Sequence, residues 1–439
     1  MKTLLINGRV YLDRETFAEA VLMEDGIIAA VGTSEELKGQ APDAEIIDCE
    51  GKTVIPGLND SHMHLFDVGA SLYEVNIVGC NSIEEMIRRC QDYMERYPER
   101  CRGGLMASGW NQDLFEDKRM PDRHDLDRIS TEIPVIMTRV CHHISVTNTK
   151  AIQLLGLDET SPEIPGGEIQ REENGYPNGI FAELSSFVEK VIPEKTEEEN
   201  RAILNLAMDY ASSHGLTSVQ SNDLRTGVNF EERMALLQNI YRSGEGKVRY
   251  RIQASFSEPE HLKEYVESGK FGPDQEVGDL LKMGPVKMFK DGSLGGRTAY
   301  MTDEYHDAPG VVGIECTTVE EMDEYVTMAT GYGLQVATHV IGDRAIKETL
   351  DAYEKALVDG KNKYRNSLVH CQITDRKLLQ RIADLDVLTQ VQPVFLDYDM
   401  TVVEDRCGKE LASTSYAFKT MEQLGTHVSY GTDSPVEDC

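Results

Sequence analysis

Two histidines separated by a single residue, His62 and His64, end the segment 54–64, which begins as an apolar strand. Side chains two residues apart on a β-strand point to the same face. The two imidazoles are therefore expected to project side by side, in a geometry suited to holding one metal ion. The alternative is a pair of surface histidines on a loop, because short motifs often occur by chance.

Three further groups of ligand type follow apolar runs later in the chain. His339 and His370 are the last residues of two such runs, and Asp433 follows a third run by two residues. Imidazole and carboxylate groups suit zinc or a related divalent ion. Taken singly, His339 or His370 would more often be a core histidine with a satisfied hydrogen bond. Convergence of all these groups with the first two histidines predicts a metal centre.

A pair of lysines in the segment 286–292 offers another ligand. Lys287 and Lys290 are three residues apart and therefore face opposite sides of a strand, so that only one of them points inward. Burial lowers the pKa of a lysine, and the neutral amine can then add carbon dioxide to become a carbamate whose two oxygens can bridge two metal ions. The alternative is an ion-pair role, and the pattern does not choose between the two lysines.

The elements that must position these groups alternate between strand and helix. Apolar stripes of helical spacing, such as the one in 203–211, separate short apolar runs. The runs are the one before His62 and those at 216–220, 250–254, 286–289, 334–339, 367–370, 387–391 and 427–431. Eight strands alternating with helices predict an α/β fold, a parallel (β/α)8 barrel of the TIM type, in which the carboxyl ends of the strands form the active site.

Two parts of the chain do not follow this rhythm. Residues 1–56 read as short strands with a hairpin turn at 24–26, and they are predicted to form the N-terminal part of a β-sandwich. Residues 57–439 are assigned to the barrel, with an insertion at about 67–194 between its first and second strands. In such barrels, insertions of this kind lie on the catalytic face and shape the pocket.

Composition limits the partners and the compartment. A net charge of -32 argues against nucleic acid and anionic membranes as partners, because both are negatively charged. A small-molecule substrate is expected, and homo-oligomerisation stays open. The nine cysteines show no C-x-x-C pair and fit a reducing compartment. Without a signal-peptide pattern or a run of ~20 apolar residues, a cytoplasmic location is predicted.

Long ordered motifs resemble the amidohydrolase superfamily, in particular amidohydrolase family 3, the group that includes N-substituted formamide deformylases. The similarity extends over nearly the whole chain. The motifs lie at 56–64, 109–111, 121–127, 166–169, 178–183, 287–299 and 338–345.

The resemblance implies roles for the candidate ligands. His62 and His64 would bind the more buried metal together with Asp433, and a second metal would be bound by His339 and His370. In this family the strand-four lysine stands two residues before the phenylalanine of a K-x-F-x-D-G motif, which selects Lys287 as the carbamate. Asp433 would also be the general base, and zinc is the expected ion, with one or two bound.

Four further positions match family motifs at which side chains line the substrate pocket: Trp110, His143, Glu183 and Arg297. Core packing is the equal alternative for Trp110, and a structural ion pair for Arg297.

The resemblance also implies a final barrel helix and return strands that complete the β-sandwich. Because the chain ends six residues after Asp433, the C-terminus is expected to be truncated.

The function predicted from the resemblance is hydrolysis of a carbon–nitrogen bond other than a peptide bond. Water activated by the metal would attack the carbonyl of an amide or an N-substituted formamide. Two alternatives remain. One keeps the barrel and the metal but has a cyclic amide or a phosphoester as substrate, and the other is an inactive truncated fragment.

Overall fold

The computed structural model describes residues 1–140 and 143–436, and the chain divides into two compact units, Met1–Leu58 and Asn59–Cys439. The first unit contains two small sheets, with strand orders β5-β4-β1-β6 and β3-β2-β7. Its elements are β1 (Lys2–Ile6), β2 (Arg9–Tyr11), β3 (Phe17–Ala18), β4 (Ala20–Glu24), β5 (Ile27–Gly32), α1 (Ser34–Gln40), β6 (Glu45–Asp48) and β7 (Thr53–Val54).

The predicted hairpin at 24–26 joins β4 to β5, which pair antiparallel. Asp25 and Gly26 occupy its tip with φ angles of 49° and 82°. Positive φ at both positions is typical of a type I′ turn, whose twist matches that of the two strands it joins. The side chains of Leu4, Leu22 and Leu37 form the core beneath this sheet.

The second unit begins at Asn59, within the first barrel strand, β8 (Leu58–Met63), and a helix follows, α2 (Leu65–Tyr73). An insertion follows with its own sheet, in the order β13-β14-β12-β11-β10-β9. Its elements are β9 (Val75–Asn76), α3 (Ile83–Arg96), β10 (Leu105–Trp110), α4 (Arg123–Asp127), β11 (Val135–Arg139), β12 (Ile144–Thr147), α5 (Thr149–Leu154), β13 (Glu168–Arg171), β14 (Pro177–Ala182) and α6 (Ser185–Val188).

The rest of the second unit completes an eight-stranded barrel in the order β21-β20-β19-β18-β17-β16-β15-β8. Its elements are α7 (Glu197–Ser213), β15 (Leu216–Arg225), α8 (Phe230–Arg242), β16 (Arg249–Ser255), α9 (Pro259–Glu267), β17 (Leu281–Phe289), α10 (Val319–Gly331), β18 (Val336–Val340), α11 (Asp343–Lys355), β19 (Ser367–His370), α12 (Arg376–Asp384), β20 (Leu388–Val391), α13 (Leu396–Asp399), α14 (Val403–Ala412), α15 (Phe418–Gln423) and β21 (Val428–Tyr430). Neighbouring strands from β15 to β21 pair parallel. The predicted (β/α)8 barrel is confirmed.

Local sequence explains where the barrel helices begin and how they pack. Thr196 caps α7 and Thr318 caps α10, each in a capping box with the glutamate three residues later. The apolar stripe of α7, which includes Ile203, Ala207 and Ala211, is buried in the main hydrophobic core. Burial of such stripes against the outside of the strands holds the helices on the barrel.

The barrel closes where β8 meets the residues that follow β21. The Asp433 N–H donates to the carbonyl of His62 at 2.9 Å, and the His64 N–H donates to the carbonyl of Ser434 at 2.8 Å. The buried carboxylate of Asp60 accepts hydrogen bonds from the backbone N–H groups of His62 and Thr432. These bonds fix the first and last strands against each other at the end where the candidate ligands lie.

Two further properties concern the helices and the cysteines. Within residues 1–140 and 143–436, no helix combines the length and the apolar content needed to cross a bilayer. Seven cysteines in this part of the chain carry free thiols, and Cys141 and Cys439 lie outside the described residues.

At the opposite end of the barrel, a pair of buried asparagines ties the amino ends of the strands together. Asn366 accepts from the N–H of Val336 at 3.0 Å, where β18 begins. The Asn362 amide donates to the carbonyls of Asn366 and Asp386, at 2.9 Å each. A buried carbonyl requires such a partner, because without a hydrogen bond the free-energy cost of removing it from water is not offset.

Replacing Asn362 by alanine is therefore expected to lower the free energy of unfolding by about 2 kcal/mol, because the buried carbonyl of Asn366 and the more exposed carbonyl of Asp386 lose their donor. Urea denaturation measures the change, and Lys361→Ala, at an exposed neighbour, is the matched control. The metal content is expected to stay native, since these residues lie at the far end of the barrel. A stability equal to that of the control variant would contradict this role for Asn362.

Candidate metal centre

His62 and His64 lie where β8 ends and α2 begins. His62 is buried in the strand, and His64 occupies the residue before the first turn of the helix. Their ring centroids are 5.3 Å apart, and the Nε2 atoms of both rings lie 3.3 Å from Oδ1 of Asp433. The two imidazoles thus face the same carboxylate oxygen, as the one-residue spacing predicts.

His339 on the fifth barrel strand and His370 on the sixth lie at the same place. Nitrogen atoms of His62 and His370 and a carboxylate oxygen of Asp433 all lie within 4.8 Å of one another. The His339 ring centroid is 4.4 Å from that of His370, which lies 5.5 Å from that of His62. All five predicted imidazole and carboxylate ligands therefore form one cluster at the carboxyl ends of the strands.

Hydrogen bonds on the outer side of the cluster determine which nitrogen of each imidazole faces inward. Nδ1 of His62 lies 2.6 Å from Oε1 of Gln253, and Nδ1 of His370 lies 2.8 Å from Oε1 of Gln392. Nδ1 of His64 contacts the carbonyl of Asn222 at 3.2 Å. Each oxygen is an acceptor, so Nδ1 carries the proton and Nε2 keeps its lone pair for a metal.

His339 has the opposite arrangement. Its Nε2 lies 3.0 Å from the carbonyl of Gly292, so Nε2 donates and Nδ1 keeps the lone pair. The carboxylate of Asp291 is 3.6 Å from the same Nε2 and accepts hydrogen bonds from the N–H groups of Tyr300, Ile341 and Gly342. This carboxylate holds the loops after β17 and β18 together beside the ring of His339.

The Gln253 side chain has its orientation fixed by two further contacts. Its Nε2 donates to the carbonyl of Ser61 at 3.2 Å and to Oε1 of Gln390 at 3.3 Å. Its Oε1 is therefore left as the acceptor for His62. Gln253 and Gln392 are not among the site residues predicted from the sequence. Each is a polar residue in or next to an apolar strand, and this departure from the apolar pattern is the signal that could have identified them.

The structure separates the two lysines of the fourth strand. Lys290 is fully buried in ion pairs with Glu315 at 2.6 Å and Glu348 at 2.8 Å. Lys287 is on the other side, with Nζ buried and without a hydrogen-bond partner among the described residues. Its Nζ lies 3.9 Å from the ring centroid of Phe289. Lys287 is thus the inward residue, as the family motif implies, and Lys290 is the structural cation.

Burial keeps most of the donors uncharged. It is the main cause that lowers the pKa of His62 to about 4 and of His339 to about 3, and it places the pKa of His370 well below its ordinary value. Burial also lowers the pKa of Lys287 to about 7, and the charge of Arg225 adds to this effect. Neutral imidazoles are the form that binds a metal ion.

Asp433 and His64 shift in the opposite sense. Burial raises the pKa of Asp433, but the contacts with His62 and His64 outweigh it, so the pKa of this carboxyl is below its usual range. Burial likewise lowers the pKa of His64, and the neighbouring Asp433 carboxylate outweighs it and raises the pKa. The cluster therefore contains one ionised carboxylate beside His64, whereas the imidazoles of His62, His339 and His370 are neutral.

Two unsatisfied atoms test whether these residues fit a metal ion. Oδ1 of Asp433 and Nζ of Lys287 are buried without a hydrogen-bond partner in the described part of the chain. Leaving a buried polar atom unpaired costs about 1–3 kcal/mol, and more for a charged group. A divalent cation would satisfy the carboxylate oxygen and the inward lone pairs together, so the donor set fits the ion that the sequence predicts.

The four weaker candidates are not brought to this cluster as a group. Trp110 is fully buried in the core of the insertion, where its indole N–H donates to the carbonyl of Met137 at 3.3 Å. Arg297 forms a two-point ion pair with Asp307. These placements correspond to the core-packing alternative for Trp110 and to the ion-pair alternative for Arg297, and a part in substrate binding stays a prediction for both.

His143 and Glu183 are brought together on the insertion. Nδ1 of His143 lies 3.0 Å from Oε2 of Glu183, and the N–H of Glu183 donates to the carbonyl of His143 at 2.8 Å. Both side chains are exposed, and Glu183 has a φ of 57°, an uncommon backbone conformation for a residue other than glycine. Their part in substrate binding stays a prediction.

Similarity searches relate the whole chain to known hydrolases. The profile described as the amidohydrolase family matches residues 45–439, and a profile described as a bacterial imidazolonepropionase-like composite domain matches residues 20–44. A putative amidohydrolase of Bacillus subtilis, YtcJ, is 29% identical over 442 residues, with 100% of this chain and 81% of the relative aligned. N-substituted formamide deformylase of Arthrobacter pascens is 28% identical over 410 residues, with 88% and 72% aligned.

Two solved structures are similar to this chain in both fold and sequence. An uncharacterized metal-dependent hydrolase from Pyrococcus furiosus superposes with a TM-score of 0.82 at 31% identity, covering 100% of this chain and 86% of that one. An uncharacterized metal-dependent hydrolase from Pyrococcus horikoshii superposes with a TM-score of 0.80 at 30% identity, covering 100% and 83%.

Removing one ligand is expected to remove the metal. Loss of a hydrogen-bond partner of a ligand typically lowers metal affinity by roughly 10–100-fold. Because His62→Ala and Asp433→Ala each remove a ligand itself, each should lower metal affinity by more than this. Elemental analysis of the purified variants measures the metal bound per chain. His427→Ala, at an exposed histidine at the amino end of β21, is the matched control and keeps native content. Full metal content in either ligand variant would show that the cluster does not bind the ion.

The lowered pKa of Lys287 predicts a pH-dependent stability in metal-free protein kept free of carbon dioxide. In the folded state the amine loses its proton near pH 7, whereas the unfolded chain holds it up to the ordinary pKa of 10.5. The unfolded state binds more protons in this window, so the stability rises with pH. The stabilising effect of Lys287→Met should therefore be largest below pH 7 and shrink above it. A difference that is constant across the window in urea denaturation would contradict the shift.

Proposed function

Because the chain belongs to the amidohydrolase family, we propose that it is a metal-dependent hydrolase that cleaves the carbon–nitrogen bond of an amide or an N-substituted formamide. The family predicted from the motifs is confirmed by the match over residues 45–439. The observation that carries the proposal is the cluster of inward-facing imidazoles around the ionised Asp433 at the carboxyl end of the barrel. Similarity to the Arthrobacter deformylase supports the choice of bond.

We propose zinc as the ion, because imidazole nitrogen and carboxylate oxygen are its usual ligands in catalytic sites. His62, His64 and Asp433 would hold one ion, and His339 and His370 a second. When bound there, a divalent ion lowers the pKa of water towards neutrality and polarises a carbonyl group. The proposed partner is thus a small molecule, and the free thiols of seven cysteines support a reducing compartment such as the cytoplasm.

Asp433 is the proposed general base. Its carboxylate stays ionised at neutral pH because its pKa is lowered, and a carboxylate that holds the ion through one oxygen keeps its other oxygen for a proton. It can therefore accept the proton of the attacking water. The same oxygen can then return this proton to the nitrogen of the leaving amine, which must be protonated to depart.

Lys287 is the proposed bridging ligand, as a carbamate. The neutral amine attacks the carbon of carbon dioxide, a nitrogen–carbon bond forms while the π bond to one oxygen breaks, and one proton of the amine is released to solvent. The product carries two oxygens on a side chain whose Nζ otherwise has no partner in the described structure. Its pKa of about 7 makes a substantial neutral fraction available at physiological pH.

Labelled bicarbonate tests the carbamate directly. Protein loaded with metal in the presence of isotope-labelled bicarbonate is expected to show a carbamate carbonyl resonance by NMR, because the buried neutral amine is nucleophilic. The resonance should be missing in Lys287→Met and present in Lys282→Met, a control at the more exposed amino end of the same strand. A resonance that persists in Lys287→Met would assign the carbamate to another lysine.

A substrate panel tests the reaction. Metal-loaded protein is expected to hydrolyse N-formyl and N-acyl amines, and Asp433→Asn should lower kcat by at least about 100-fold, the usual contribution of a general base. Release of formate or free amine is the measurement. Turnover of cyclic amides or phosphoesters instead would favour the second enzyme class. Full metal content without hydrolysis of any panel member would indicate an inactive chain.

A further inference from the structure

Arg225 is a cation at the mouth of the metal centre that has no role in the proposed reaction. It is the last residue of β15, so it lies at the same carboxyl end of the barrel as the ligands. Its guanidinium carbon is 6.0 Å from the ring centroid of Phe289. That ring is in turn 3.9 Å from Nζ of Lys287 and 5.6 Å from the ring of His339. The Phe289 ring therefore lies between Arg225 and the ligands.

The surroundings leave the Arg225 guanidinium available. The residue is exposed, and no carboxylate among the described residues forms an ion pair with it. Arg297 and Arg406, by contrast, are both paired with Asp307. Asp67 lies close enough to be influenced by the Arg225 charge but does not ion-pair with it.

The backbone at Arg225 is held in place, which gives the side chain a fixed origin. Its N–H donates to Oδ1 of Asn229 at 3.0 Å, and its carbonyl accepts from the N–H of Asn229 at 3.1 Å. The aromatic face of Phe289 adds a cation–π contact on the inner side. A guanidinium placed in this way can present its paired N–H donors to a planar anion.

We propose that Arg225 binds a carboxylate of the substrate, and that the substrate class is therefore an N-formyl or N-acyl derivative of an amino acid rather than of a simple amine. The α-carbon of the substrate and its apolar side chain would lie against Phe289, with the carboxylate towards Arg225 and the acylated nitrogen towards the ligands. A local cation favours such a ligand, because the net charge of -32 opposes the approach of an anion. This assignment of the substrate rests on the proposed function.

Binding of two matched, non-hydrolysable ligands tests the anchor in the metal-loaded full chain. Methanesulfonyl-leucine and N-(3-methylbutyl)methanesulfonamide differ only in the carboxylate, and calorimetry measures both affinities. The native protein is expected to bind the acid about tenfold more tightly at low ionic strength, which corresponds to one charged hydrogen-bonded pair. The preference should be lost in Arg225→Met and partly kept in Arg225→Lys. Equal affinity in the native protein, or an undiminished preference in Arg225→Met, would overturn the proposal.

A control variant and a kinetic comparison separate this proposal from the proposed function. Arg242→Met removes an exposed arginine at the end of α8, at the far side of the barrel, and should keep the preference. In turnover, N-formylleucine is expected to exceed N-(3-methylbutyl)formamide in kcat/KM, with the difference in KM. Hydrolysis of both with equal kcat/KM would overturn the anchor and leave the function standing. Tight Arg225-dependent binding without hydrolysis of either would support the anchor and refute the function.

Discussion

The candidate site depends on the closure of the barrel between its first strand and the residues after its last. The backbone bonds between His62 and Asp433 and between His64 and Ser434 place the imidazole pair against the carboxylate that they share. Asp60 reinforces the same seam from inside. Residues more than 360 positions apart in the sequence thus become neighbours through a few short backbone contacts. The site is intact only when the whole barrel is folded.

A second requirement is that the donors remain neutral while the carboxylate remains charged. Burial keeps the imidazoles of His62 and His370 neutral, and the amide oxygens of Gln253 and Gln392 hold the proton of these two rings on the outer nitrogen. These glutamines come from strands that carry no proposed ligand, so the barrel uses its remaining strands to orient the ligands. Lys290 and its two glutamates show the opposite solution, in which a buried charge is neutralised by ion pairs.

Much of this architecture follows from local patterns in the sequence. The eight strands and the residues at their carboxyl ends were predictable, because apolar runs alternate with helical stripes and the ligand types recur at the ends of the runs. The inward choice of Lys287 over Lys290 required the family motif, since a spacing of three defines opposite faces but not which face is inside. Trp110 and Arg297 were harder, because their partners Met137 and Asp307 are set by tertiary packing. The hydrogen bonds of Gln253 also cross between distant strands, and no local pattern specifies such contacts.

The most direct test of the metal centre is diffraction from crystals of metal-loaded protein, measured on both sides of the absorption edge of the metal. The structure predicts an anomalous peak at about 2 Å from Nε2 of His62 and from a carboxylate oxygen of Asp433, as expected for zinc ligands. Anomalous density that is missing from this cluster, or that lies at another group of residues while the cluster keeps the geometry described above, would contradict the account.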